Sequence, residues 1–73
     1  MRNSRRYTCT IRYSGGFDGG CGGIYEREHS YYSTHEEGSK ANEEDAIAAW
    51  HRRNGRTGWC EVVPGTARTN EEG

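Results

Sequence analysis

Leucine is absent from this 73-residue chain, proline and lysine occur once each (Pro64, Lys40), and the one methionine is Met1. The residues left for a conventional core are Ile11, Ile24, Ile47, Val62, Val63 and Phe17. A chain this poor in large aliphatics reads as disordered on composition alone. No stretch approaches the roughly 20 consecutive apolar residues of a membrane-spanning helix. The apolar run of a secretory signal is also missing near Met1, so a soluble, intracellular protein is expected. Cysteines are odd in number (Cys9, Cys21, Cys60) and too sparse for the framework of a secreted disulfide scaffold, which leaves at least one thiol free or intermolecular.

Two features argue against disorder. Net charge is only −1, and seven large aromatics are present: Tyr7, Tyr13, Tyr25, Tyr31, Tyr32, Trp50 and Trp59. Each buries on the order of 150–250 Å² when packed. The expected core is therefore aromatic, and thin, because a domain of this size buries only roughly 60% of the surface its unfolded chain exposes. One domain spanning residues 1–73 fits, with little room for a catalytic cleft.

Alternation is cleanest from Arg6 to Tyr13, with Tyr7, Cys9, Ile11 and Tyr13 on one side and Arg6, Thr8, Thr10 and Arg12 on the other. Residues 14–23 (SGGFDGGCGG) hold six glycines and predict a hairpin loop. A second strand over Ile24 to Thr34 is β-favouring but interrupted by Glu26, Arg27, Glu28 and His29, which suits an exposed edge carrying a bulge. HEEGSK (35–40) reads as a loop. Asn42 is the expected N-cap of a helix over Glu43 to Asn54 that turns Ala46, Ile47, Ala49 and Trp50 inward and ends at Gly55. A last strand, Gly58 to Val63, stops at Pro64, and residues 65–73 are expected to form a frayed polar tail.

The order is β-β-α-β. A helix returning from the second strand leaves the third parallel to it, so the first strand takes the centre. The fold class is α+β: a three-stranded antiparallel sheet of order 2-1-3 with one helix on one face.

Catalytic chemistry is not expected. A cysteine nucleophile needs a lowered thiol pKa, an orienting group and a pocket, none of which the sequence displays. The cysteines lack the C-x₂₋₄-C spacing of structural zinc sites, so no metal or cofactor is assigned; Cys9 and Cys60 read as small hydrophobes on neighbouring strands. The glycine loop lacks the Lys-Ser/Thr of a phosphate-binding loop and leads into a strand instead of a helix. Within it, Phe17 is either tucked under the sheet or offered to a partner.

Charge is segregated along the chain. Residues 1–13 carry Arg2, Arg5, Arg6 and Arg12 and no acid. Residues 14–45 carry Asp18, Glu26, Glu28, Glu36, Glu37, Glu43, Glu44 and Asp45 against Arg27 and Lys40, a balance of −6. One reading is an acidic face that repels nucleic acid and is steered towards a larger basic protein or nucleoprotein complex. The other is that the helix-start acids complement the helix dipole and the rest keep a small protein soluble. A third possibility places nucleic acid on the sheet face away from the helix, where Arg6, Arg12, Arg27 and Tyr25 or Tyr31 would stack bases and meet phosphates.

With RYTCTIRYSGG leading into the loop and NEEDAIAAWHRRNG as the helix, the chain resembles the small phage-encoded anti-CRISPR proteins, particularly inhibitors of type I systems, in size, element order and charge segregation. The resemblance implies stoichiometric, non-catalytic binding to an effector complex in the cytoplasm of a bacterial host, in some members by mimicry of double-stranded DNA. The partner-binding residues would be Asp18, Glu26, Glu28, Glu36, Glu37, Glu43, Glu44 and Asp45, with Phe17 as an apolar anchor. No membrane and no small-molecule substrate is implied.

Overall fold

The computed structural model describes residues 4–15, 23–55 and 58–70. Strand β1 (Arg5–Ser14) and strand β2 (Ile24–Ser33) form an antiparallel pair of ten residues each, joined by the glycine-rich segment. Helix α1 (Lys40–Asn54) follows, then the short strands β3 (Cys60–Val62) and β4 (Arg68–Thr69). The sheet order β2-β1-β3 places β1 in the centre, as the alternation of its side chains required. Phe17, Asp18 and Cys21 lie outside the described residues, as does the loop from 16 to 22.

Register between β1 and β2 runs without interruption from Arg5↔Ser33 to Ser14↔Ile24, so the expected bulge is not formed. Tyr7, Cys9, Ile11 and Tyr13 are buried under α1 together with Tyr31, Ala46, Ala49 and Trp50. In place of aliphatic packing, the core is a chain of rings. Tyr7 stacks on Tyr31 at 5.7 Å, and Tyr31 on His29 at 5.8 Å. His29 meets the edge of Trp50 at 5.4 Å, and Trp50 lies 4.9 Å from Tyr13. Each such contact adds on the order of 1 kcal/mol beyond the area it buries, which offsets the missing leucines.

Helix α1 starts at Lys40, three residues before the expected Glu43. Ser39 is the N-cap, its hydroxyl accepting from the Asn42 N–H at 3.2 Å and donating to the Glu36 carbonyl at 2.8 Å. Asn42 is fully buried instead, because its side chain satisfies polar groups that the ring core carries inward. Gly55 ends the helix as expected, at φ +81°, a conformation costly for any residue with a Cβ.

The expected frayed tail, residues 65–73, is instead paired to the sheet as far as Asn70, and residues 71–73 lie outside the described residues. From Ile11↔Val62 to Thr8↔Arg68 the C-terminal segment advances six residues while β1 advances three, so β3 and β4 are two halves of one strand broken by a three-residue excursion. At the break the Thr10 N–H would lack a ladder partner, and Thr66 Oγ1 accepts it at 3.0 Å. Backbone amides rarely stay unpaired when they leave water. Asn70 then donates from its backbone to the Arg6 carbonyl and from Nδ2 to Thr8 Oγ1, covering Thr8 on the sheet face remote from α1.

Two further expectations fail on burial. Ile24, assigned to the core, is 59% exposed, and Trp59 is 47% exposed beside it, the two flanking Ser14 at the loop end of the sheet. Tyr25 and Tyr32 are exposed as well. Ile47 is only half-buried, at the β3 side of the helix.

Candidate functional site

The acids of residues 14–45 do not assemble into one face. Helical geometry and sheet pairing send the described ones to four places. Glu26 and Glu28 share the open face of the sheet with Arg12 and Thr10, opposite α1. There Arg12 donates to Glu26 at 3.0 and 3.1 Å and to Glu61 at 3.4 Å, while Arg68 reaches Glu28 at 3.5 Å. Glu36 is exposed before the helix. Glu37 accepts from both the backbone N–H and the hydroxyl of Thr69, at 2.7 and 3.0 Å, and so holds β4 in place. Asp45 accepts from the buried Ser33 hydroxyl at 2.7 Å, a structural bond that couples α1 to β2.

Glu43 and Glu44 remain, and both line a groove of about 330 Å³ between α1 and β3. Its apolar floor is Ile47, Cys60 and Val62, with Lys40 and Glu61 at the margin. Successive helical residues lie 100° apart, which explains why Asp45 turns to β2 while its two predecessors turn to β3. Glu61 lies beyond the acidic run of the sequence; it borders the groove through β3, while its carboxylate stands on the open face, bonded to Arg12.

A second, wider hollow of about 730 Å³ opens between Arg5 and the loop before α1. Its polar floor is committed internally. The Tyr7 hydroxyl donates to the His35 carbonyl at 3.0 Å, and Ser33 Oγ accepts from the His35 N–H while donating to Asp45. Arg5, Thr34 and Glu36 also line it.

A cysteine–histidine pair is present after all. Cys60 Sγ lies 3.9 Å from His51 Nε2, and His51 Nδ1 lies 3.0 Å from the Gly55 carbonyl. Since a carbonyl only accepts, Nδ1 carries the proton and Nε2 faces the thiol as an acceptor. Burial pushes the Cys60 thiol upward, which holds it in the neutral, weakly nucleophilic form. Cys9 is pushed up to about 11 by burial and by the charge of Glu43. Both thiols are free.

His29 and His35 have five residues between them, a spacing compatible with zinc, but the fold separates their roles. His29 is buried and bonds the Ala46 carbonyl through Nε2 at 3.0 Å. Among the described residues no group of three or more His, Cys, Asp or Glu side chains is disposed to hold a metal.

The residues set aside for nucleic acid divide between the two faces. Arg6 and Arg12 stand on the open side, whereas Tyr31 is buried under α1 and Arg27 lies over the Tyr13 ring at 5.6 Å. The open face is a checker of paired charges, with Arg12 already engaged by two carboxylates.

The architecture defines a one-helix α+β domain with an antiparallel sheet, one face covered and one open. No helix among the described residues is long and apolar enough to cross a membrane. No protein-family model matches the chain, and neither a curated protein nor a solved structure gives a significant match.

Proposed function

We propose that this domain is a non-catalytic protein-binding inhibitor that engages a basic surface of a larger protein or nucleoprotein complex through the groove between α1 and β3. The observation that carries the reading is the placement of Glu43 and Glu44 side by side over an apolar floor of Ile47, Cys60 and Val62. An apolar anchor site flanked by two carboxylates, with Lys40 alone opposing them, suits a basic segment with an aliphatic residue at its centre. The resemblance to small anti-CRISPR proteins supplies the partner class: a type I CRISPR–Cas effector complex in the host bacterial cytoplasm.

Direct blocking by protein contact is better supported than DNA mimicry. Mimicry calls for carboxylates in a phosphate-like row, whereas here Arg12 and Arg68 neutralise the acids of the open face. A neutral Cys60 thiol between carboxylates is likewise better suited to packing than to nucleophilic attack.

Calorimetric titration of a purified type I effector complex tests the reading. The double reversal Glu43→Lys/Glu44→Lys is expected to weaken binding at least tenfold with an unchanged melting temperature. Equal affinity of the folded variant and the parent would overturn it.

A further inference from the structure

Strand β2 has one flank bonded to β1 and, among the described residues, no strand on the other. The direction of its free groups follows from two bonds. Gly15 donates to the Gly23 carbonyl, so the odd-numbered residues of β1 exchange backbone bonds with those of β2. Ser14 donates to the Trp59 carbonyl and Val63 to that of Thr10, so the even-numbered residues of β1 point to the β3 side. On β2 the even residues Ile24, Glu26, Glu28, Ser30 and Tyr32 therefore aim their N–H and C=O groups outward. Their side chains stand on the open face of the sheet, and no bulge interrupts the register.

We infer that the free edge of β2 is a strand-addition site for an extended, basic segment of a partner protein, with lysine or arginine at alternating positions opposite Glu26 and Glu28. The charge order across the sheet carries the choice of occupant. One row reads Glu26, Arg12, Glu61, with Arg12 bonded to both carboxylates, so a cation beyond Glu26 continues the alternation outward. In the next row Glu28 has a side chain 71% exposed and only a 3.5 Å contact to Arg68. Two carboxylates two residues apart on one face match the period of an added strand.

A second copy fits this edge poorly. Antiparallel self-pairing centred on Arg27 opposes Glu26 to Glu28, and centring on Glu28 opposes it to its own copy, arrangements that cost energy through like-charge contact. The same charges that admit a basic strand thus disfavour those two registers of self-pairing. The inference stands apart from the α1–β3 groove, because Glu43 and Glu44 take no part in it.

The probe is the peptide (Thr-Lys)₄, titrated to millimolar concentration against ¹⁵N-labelled protein, with (Thr-Glu)₄ as the control. The expected result is saturable binding of the lysine peptide with slowed amide exchange at Glu26, Glu28 and Ser30. Affinity should fall at least tenfold in Glu26→Lys/Glu28→Lys and stay unchanged in Glu43→Lys/Glu44→Lys. Ser30→Pro, which removes one outward N–H, should abolish it in protein shown to be folded by circular dichroism. The inference is overturned by absent binding, by equal binding of the glutamate peptide, or by binding that leaves those amides unprotected. It is also overturned by loss of binding in the Glu43/Glu44 variant alone, or by a concentration-dependent dimer that protects the same amides without peptide.

Discussion

The Tyr31 hydroxyl donates to Oδ1 of Asn42 across 2.5 Å, inside the core. Asn42 Nδ2 in turn donates to the His35 carbonyl at 3.2 Å, which also accepts from Tyr7. The first turn of α1 is thereby fastened to β1, β2 and the loop between β2 and the helix by one buried amide. Replacing Asn42 with Ala strands the Tyr31 hydroxyl away from water, at a cost of about 2 kcal/mol. Urea unfolding of Asn42→Ala, Tyr31→Phe and the double variant checks this: the double loss should fall clearly short of the two single losses combined, because once the amide has gone Phe suits the site.

Stability should fall on mild acidification through His29. Burial is the main cause that lowers its pKa below 6.5, Arg53 adds to it, and the bond to the Ala46 carbonyl opposes both. The unfolded chain then binds a proton that the folded one refuses. The contribution is complete above 6.5 and is lost as pH falls from there to the folded-state value. Melting curves between pH 7.5 and 5 should show the parent losing stability relative to His29→Gln, whose amide still donates to Ala46; a constant difference across that range would remove His29 as the cause.

Thiol reactivity should follow the fold. In a Cys21→Ser background, iodoacetamide is expected to modify half-buried Cys60 first and Cys9 only on unfolding, since Cys9 is 2% exposed with its thiol pushed up to about 11. Mass spectrometry of a pH 7 time course reads both rates. Alkylation of Cys60 faster than free glutathione would show that His51 holds a thiolate, and would return the nucleophile reading.

The segment after Pro64 should be integral to the domain. Thr66→Val keeps the shape but removes the acceptor for the Thr10 N–H, costing about 1–2 kcal/mol by denaturant unfolding. Truncation after Gly65 should cost more, because Thr8 loses Asn70 and β4 leaves the central strand. A truncated protein as stable as the parent would restore the frayed-tail reading.

Much of the fold was legible because β1 obeys a strict two-residue period, and a clean central strand together with one returning helix fixes the sheet order. The helix start was misplaced because Asn is both a good cap and a good buried hydrogen-bonding residue. Only the neighbouring Tyr31 decides which, and it is distant in sequence. β4 was invisible for a related reason: Arg68 and Thr69 carry no hydrophobic pattern, and what binds them is backbone pairing to β1 and the Glu37 carboxylate. Acids adjacent in sequence suggested an acidic face, but strand alternation and the helical turn sent Glu28, Glu37, Glu44 and Asp45 in four directions. That Glu43 and Glu44 flank Ile47, Cys60 and Val62 could be seen only once β3 was placed beside α1.

The broken third strand also sets an order of events during synthesis. β1, β2 and α1 can associate once the chain up to about residue 55 has left the ribosome, since their contacts are close in sequence. The second flank of β1 must wait for a segment farther downstream, which begins where Tyr13 meets Cys60 and ends where Tyr7 meets Thr69. Until then the nascent domain exposes the unpaired side of its central strand, which makes this interval the moment of greatest exposure to chaperones and proteases.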